Sequence, residues 1–198
     1  MSFTPHVPGP HASGAVTSHR RPLVVVAVGT DHHPFDRLVT WMDRWAAANP
    51  EVKVVIQRGT ADLTDHAESR DLIPHPEQCR LFGSALAVVA HGGPSTIMDA
   101  RAAGRVPIVL PRNPGLGEHV DDHQLRFGRH LDAHRLARLV TDVADLDAVL
   151  IEALVDPEAF LVQAEEGAVP GIVAFGHVLD DLLGVTTPVH PRPGEHRR

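Results

Sequence analysis

The chain has 198 residues, 43% hydrophobic and 22% charged, a balance that excludes wholesale disorder and suits one domain with tails. A formal net charge of −7 argues against a basic nucleic-acid footprint, so no nucleic-acid partner is expected. The single cysteine, Cys79, excludes an internal disulfide and any cysteine-cluster metal site, and fits a reducing cytoplasm.

Residues 1–21 are rich in Pro, Gly, Ser and His and have no apolar period. They read as a flexible N-terminal arm, without a signal-peptide layout. Residues 22–184 read as one domain and residues 185–198 as a disordered tail. No apolar run approaches the roughly 18–20 residues of a membrane helix.

Within the body, residues 23–28 form a continuous apolar run ended by Gly29-Thr30, the mark of a strand buried on both faces of a parallel sheet. Phe35, Leu38, Val39, Met42, Trp45 and Ala46 then follow a helical stripe, stopped by Asn49-Pro50. Residues 52–57 predict a second strand and 71–74 a short third, with a short helix over 76–82. A strand over 86–90 leads to a helix over 95–103, closed by Gly104. Residues 106–110 predict a strand, 119–131 a helix, 136–140 a strand and 146–154 a helix. Two further helices are predicted over 157–166 and 171–183. This alternation implies βαβ units, an α/β Rossmann-like doubly wound parallel sheet.

Ligands of such sheets sit at the carboxyl ends of the strands. There the most informative segment is His91-Gly92-Gly93-Pro94-Ser95-Thr96, after one strand and before a helix. Two glycines admit close approach of a ligand to the backbone, and the amides from Ser95 onward are helix N-terminal donors backed by the dipole. Diphosphate suits such a site. The other reading is a tight turn with a Ser/Thr cap and nothing bound. The spacing is neither a Walker loop nor G-x-G-x-x-G. Gly29-Thr30-Asp31 ends the first strand and lines the same crevice if the loops converge; otherwise Asp31 is an N-cap. Asp99 either closes a capping box onto Thr96 or faces the crevice to accept hydrogen bonds from ribose hydroxyls. Asp122 and Gln124 either complement a helix dipole or pair with sugar hydroxyls. The Gly/Pro-rich loop over residues 113–118 is able to wrap a ligand.

The histidines are scattered: His32, His33, His119 and His123 make no His-Glu-x-x-His pattern, so a zinc site is the less favoured reading and no metal is expected. Asp145 and Asp147 read as a solvated helix face, and Cys79 as a packed rather than catalytic thiol. No G-x-S-x-G elbow is present.

Taken in order, Val26-Ala-Val-Gly-Thr30, Phe35-Asp36-Arg-Leu38, Ile56-Gln57-Arg-Gly59, the segment from Val89 to Thr96, Ala100, Gly104, Pro107-Ile-Val-Leu-Pro111 and Asp122-His123-Gln124 resemble the C-terminal half of family 28 glycosyltransferases. The resemblance spans residues 23–155, and is nearest to the split subunits of Alg13-like and PssE-like type, with a relation to the MurG donor lobe. It implies the C-terminal, donor-binding lobe of a GT-B enzyme. Gly29 and Thr30 then line the interlobe crevice and Ile73 flanks a uracil. His91, Gly92, Gly93, Ser95 and Thr96 hold the diphosphate; Asp122 and Gln124 meet the donor sugar. Asp99 stands where the family usually has a Glu on the ribose. The implied substrate is a UDP-sugar, with hexosyl or N-acetylhexosaminyl transfer and neither cofactor nor metal required.

The general base and the acceptor groove of such enzymes belong to the N-terminal lobe, for which the residues before the first strand leave no room. The expectation is therefore half of a two-component inverting glycosyltransferase of polysaccharide or glycolipid synthesis. Its partner would be a membrane-associated acceptor-binding subunit, placing this chain in the cytoplasm at the inner membrane face. Ile172, Val173, Phe175, Val178, Leu179, Leu182 and Leu183 would pack on that partner or return to the chain's own core. Alone, the chain has the option of a homodimer. The alternatives are a non-catalytic nucleotide-sugar-binding or regulatory module and an unrelated doubly wound domain.

Overall fold

Valine supplies most of the central strands. In the computed structural model, which describes residues 21–162, β1 (Leu23–Ala27) reads Leu-Val-Val-Val-Ala and is buried along residues 24–27. It lies between β2 (Lys53–Gln57) and β4 (Ala87–Ala90), parallel to both. β3 (Glu68–Arg70), β5 (Ile108–Val109) and β6 (Arg138–Leu139) complete an all-parallel sheet in the order β3-β2-β1-β4-β5-β6. β-branched runs without alternation suit strands covered on both faces.

The cover comes from five helices: α1 (Asp36–Ala48), α2 (His75–Ser84), α3 (Pro94–Ala102), α4 (His123–Ala133) and α5 (Val143–Val155). Val24 and Val26 point to the face covered by Leu38, Met42 and Trp45 of α1 and Leu146 and Leu150 of α5. Val25 and Ala27 point to the opposite face, against Phe82 of α2 and Ala100 of α3. Alternation within each strand therefore divides one apolar run between two cores. Phe127 and Leu131 of α4 form a third cluster with Ile97.

Several boundaries differ from the sequence expectation. The third strand is Glu68–Arg70 rather than 71–74, because a polar edge strand leaves no apolar signature. Asp71 and Leu72 are exposed beyond it, and Ile73 is buried in the loop leading to α2. The helix expected from residue 119 starts at His123, since the Asp121 carboxylate accepts the His123 amide and turns the chain there. The predicted strands over 106–110 and 136–140 are paired for only two residues each. Of the segment expected as a helix over 157–166, the described residues form a short 3₁₀ turn, Pro157–Phe160, and then an antiparallel bridge between Leu161 and Arg105; residues 163–166 lie outside the described residues. The helix expected over 171–183, with its apolar positions from Ile172 to Leu183, lies outside the described residues.

Asp147 is more than a solvated helix residue: it accepts the Trp45 indole N–H at 3.1 Å and ties α5 to α1. Asp31 does not cap α1, whose N-cap is Phe35.

Candidate functional site

The sheet order reverses at β1, so the loops leaving β1 and β4 run to opposite sides and open a crevice at the carboxyl edge. A cleft of about 750 Å³ occupies that place. Gly29, Thr30, Ile73, His91, Ser95, Thr96, Asp99 and Gln124 all line it. Residues distant in sequence are thus gathered on one concave surface. Asp122 is not among the lining residues; its exposed carboxylate pairs with Arg126 one turn on. Gly92 and Gly93 are not among the lining residues either.

Gly93 and Gly29 also have a packing role that the sequence does not announce. A Cβ at Gly93 would stand 2.3 Å from His91 Nε2, and one at Gly29 would stand 2.6 Å from His91 Cε1. The imidazole fills the space between both backbones, so neither position has room for a side chain. Gly92 has φ +95°, and its missing side chain makes way for Gln124 Cβ and Val109. His91 is buried, with Nδ1 3.2 Å from the Ala27 carbonyl. Burial pushes its pKa down to about 4, so the ring is neutral near pH 7, with Nδ1–H donating to Ala27.

Phosphate-type donors remain at the start of α3. Gly93 is the N-cap and Pro94 the first helical residue. The first intrahelical bond comes from Ile97 N–H to Gly93 O. The amides of Ser95 and Thr96 are therefore first-turn donors without an intrahelical acceptor, on the positive end of the dipole. Both residues line the cleft. Asp99 lies a further turn into α3, too far along to cap it, and its Oδ2 is 3.0 Å from His75 Nε2 of α2.

A polar framework that the motifs do not announce holds these loops. Gln57, at the end of β2, donates to the Gly29 carbonyl at 3.0 Å and accepts from Gln78 Nε2 at 2.8 Å. Both amides are buried and line the cleft. Arg112, 1% exposed, donates to three carbonyls: Val28 at 2.9 Å, His33 at 2.7 Å and Glu118 at 3.1 Å. Its guanidinium stacks 4.9 Å from the Phe35 ring centroid. The available signals were a polar residue closing an apolar strand at Gln57 and an arginine following Pro111; neither spacing reveals its long-range partners.

The loop over residues 113–118 is fastened rather than free to wrap. Asn113 Oδ1 accepts the Gly115 amide, and Gly117 takes φ +72°. Glu118, almost fully buried, receives Arg37 Nε at 2.8 Å and Nη2 at 2.9 Å, and the Asn113 amide at 2.7 Å. Beside it, Asp31 accepts the His33 amide at 2.8 Å, which brings its carboxyl down to about 2 despite the opposing desolvation. Asp31 also meets His33 Nδ1 at 2.7 Å and His119 Nε2 at 3.4 Å.

The glycosyltransferase family 28 C-terminal domain model matches residues 23–168. Among solved structures, the glycosyltransferase of kitacinnamycin aligns with a TM-score of 0.50 at 16% identity, over 93% of this chain and 45% of that one. The spinosyn forosaminyltransferase SpnP aligns with a TM-score of 0.51 at 15% identity, over 85% and 41%. The chain spans less than half the length of these structures, and at such identities the likeness is one of fold. That fold is a GT-B C-terminal lobe. No curated protein matches the chain in sequence.

Proposed function

The chain belongs to the glycosyltransferase family 28 C-terminal domain family, and we propose that its carboxyl-edge cleft binds the nucleotide-sugar donor, a UDP-sugar, for an inverting transfer. The observation that carries this reading is the convergence of Ser95 and Thr96 at the start of α3 with the β1 loop, Ile73 and Gln124 around one cleft. Two first-turn amides and two hydroxyls suit a diphosphate, and the buried Ile73 at the rim suits the flank of a flat base. Asp99 and Gln124 offer acceptors and a donor to hydroxyls.

In the transfer, an acceptor hydroxyl oxygen attacks the anomeric carbon from the face opposite the diphosphate. The anomeric C–O bond breaks, and its electron pair leaves with the UDP. The helix-terminal amides face that developing charge and stabilise it, as an oxyanion hole does. The hydroxyl proton goes to a general base, which we place on a separate acceptor-binding polypeptide, as the resemblance to the split subunits implies. That partner holds the pair at the inner membrane face and sets the acceptor, a polysaccharide or glycolipid. Among the described residues no helix is long and apolar enough to cross a membrane.

Titration calorimetry of the full chain with UDP, GDP and dTDP tests donor binding: UDP binds best, and absence of any nucleotide binding at millimolar concentration overturns the reading. Co-expression with an acceptor-lobe protein, followed by a transfer assay, tests the two-component claim. A non-catalytic nucleotide-sugar sensor is the second reading, favoured by the engagement of Asp99 with His75. It predicts nucleotide binding without transfer in the same assay.

A further inference from the structure

At one rim of the cleft three ligand types meet from two helices. His75 and Cys79 lie one turn apart on α2, with Cys79 Sγ 3.5 Å from His75 Nε2. From α3, Asp99 Oδ2 stands 3.0 Å from the same nitrogen. The three donor atoms all lie within 4.8 Å of one another. We propose that His75, Cys79 and Asp99 form a binding site for a divalent transition metal, with zinc the best-fitting ion.

The fit is geometric and chemical. Zinc holds sulfur at about 2.3 Å and imidazole nitrogen or carboxylate oxygen at about 2.0–2.2 Å, in a tetrahedron. The edges of that tetrahedron are then about 3.5–3.7 Å between sulfur and nitrogen and about 3.3–3.5 Å between nitrogen and oxygen. The observed 3.5 Å and 3.0 Å at His75 Nε2 are within a few tenths of an ångström of these edges, and the third, from sulfur to oxygen, is no longer than 4.8 Å. A thiolate, an imidazole and a carboxylate form a donor set for zinc, not for calcium or magnesium, which prefer oxygen alone. Thiolate and carboxylate together neutralise the ion: one thiol proton passes to solvent, and the three-residue site goes from a charge of −1 to 0.

Access is open: the His75 side chain is 66% exposed, and both His75 and Asp99 line the cleft. Water takes the fourth position. The neighbouring group of Asp31, His32 and His33 fits less well. Its three residues are consecutive on one loop, and the 2.7 Å between His33 Nδ1 and Asp31 Oδ1 falls further short of a tetrahedral edge than the 3.0 Å between His75 and Asp99. The site goes beyond donor binding and stands without it.

The test uses the full chain, reduced and freed of metal with a chelator, and titrated with cobalt(II) and with zinc. Cobalt bound here gives an intense near-ultraviolet thiolate-to-metal charge-transfer band and tetrahedral visible bands, both bleached by one equivalent of zinc. Cys79→Ser abolishes the charge-transfer band, and His75→Ala and Asp99→Asn each weaken binding by more than about tenfold, since even outer partners of a metal ligand contribute that much. His33→Ala leaves the band in place. All four positions are partly or fully solvent-accessible, and circular dichroism checks that each variant stays folded. Cobalt binding without a thiolate band, or a zinc affinity unchanged in Cys79→Ser, overturns the assignment.

Discussion

Replacing Gly93 with alanine should destabilise the chain through a single contact, the one with His91. The added Cβ would lie 2.3 Å from Nε2 and 2.8 Å from Cε1 of a buried ring that is walled on its other side by Gly29. The ring cannot yield without leaving its slot and its bond to Ala27. Overpacking of this kind costs about 1–3 kcal/mol. The backbone adds little, because Gly93 has φ −70°, which alanine adopts freely. A double-mutant cycle isolates the contact. In a His91→Ala background the same Gly93→Ala change has nothing to strike, and its cost falls to the difference between glycine and alanine at an N-cap, about 0.5–1 kcal/mol.

Urea unfolding of the four proteins should therefore show a coupling of about 1 kcal/mol or more between positions 91 and 93. Gly29→Ala is the contrast. Its φ of +80° leaves residual strain of about 1 kcal/mol even when the ring is gone. If Gly93→Ala costs the same with and without the imidazole, the ring is not what excludes a side chain there, and the glycine must be explained by a ligand or by the turn.

Stability should fall as pH drops from about 6.5 toward about 4. The buried neutral His91 resists a proton that the unfolded chain accepts, so its contribution is fully present above pH 6.5 and is lost across that window, by at most about 1.4 kcal/mol per pH unit. His91→Asn should flatten that part of a stability–pH curve; an unchanged slope would assign it to other groups. Asp31, held at about 2, contributes stability above the unfolded aspartate value near 3.9 that disappears as pH falls toward 2; Asp31→Asn should remove this lower limb from the same curve. Arg112→Met strips three carbonyls of a charged donor and should cost about 3 kcal/mol or more in a urea melt, whereas a loss below about 1 kcal/mol would mean water replaces the guanidinium readily. Ser95→Ala should leave stability unchanged within about 0.5 kcal/mol and weaken UDP several-fold in calorimetry; undiminished affinity would move the diphosphate away from α3.

The legible parts of this fold are those where burial is two-sided. The runs of β1, β2 and β4 are apolar without alternation because helices cover both faces, and they were found nearly to the residue. β3 was misplaced because Glu-Ser-Arg pairs on one side only and owes its place to β2, not to its own composition. At the site, local motifs located Gly29, Thr30, His91, Ser95, Thr96, Asp99 and Gln124, since loop chemistry after a strand is short-range. The packing reason for Gly29 is not legible, because the imidazole that needs it comes from the loop after another strand, 62 residues on. Gln57, Gln78, His75 and Arg112 carry no local signal because each has at least one partner 21 to 84 residues away.

The outermost strands set how this lobe can associate. β3 is three residues long, with Glu68 bound to Lys53 and Arg70; β6 is two residues long, with Arg138 clasped by Glu152. Short, ion-paired borders of this kind discourage a foreign strand from extending the sheet. Among the described residues, growth by β-addition is therefore discouraged on both flanks, which leaves the helices and the loops above the strand tips as the surfaces better suited to association.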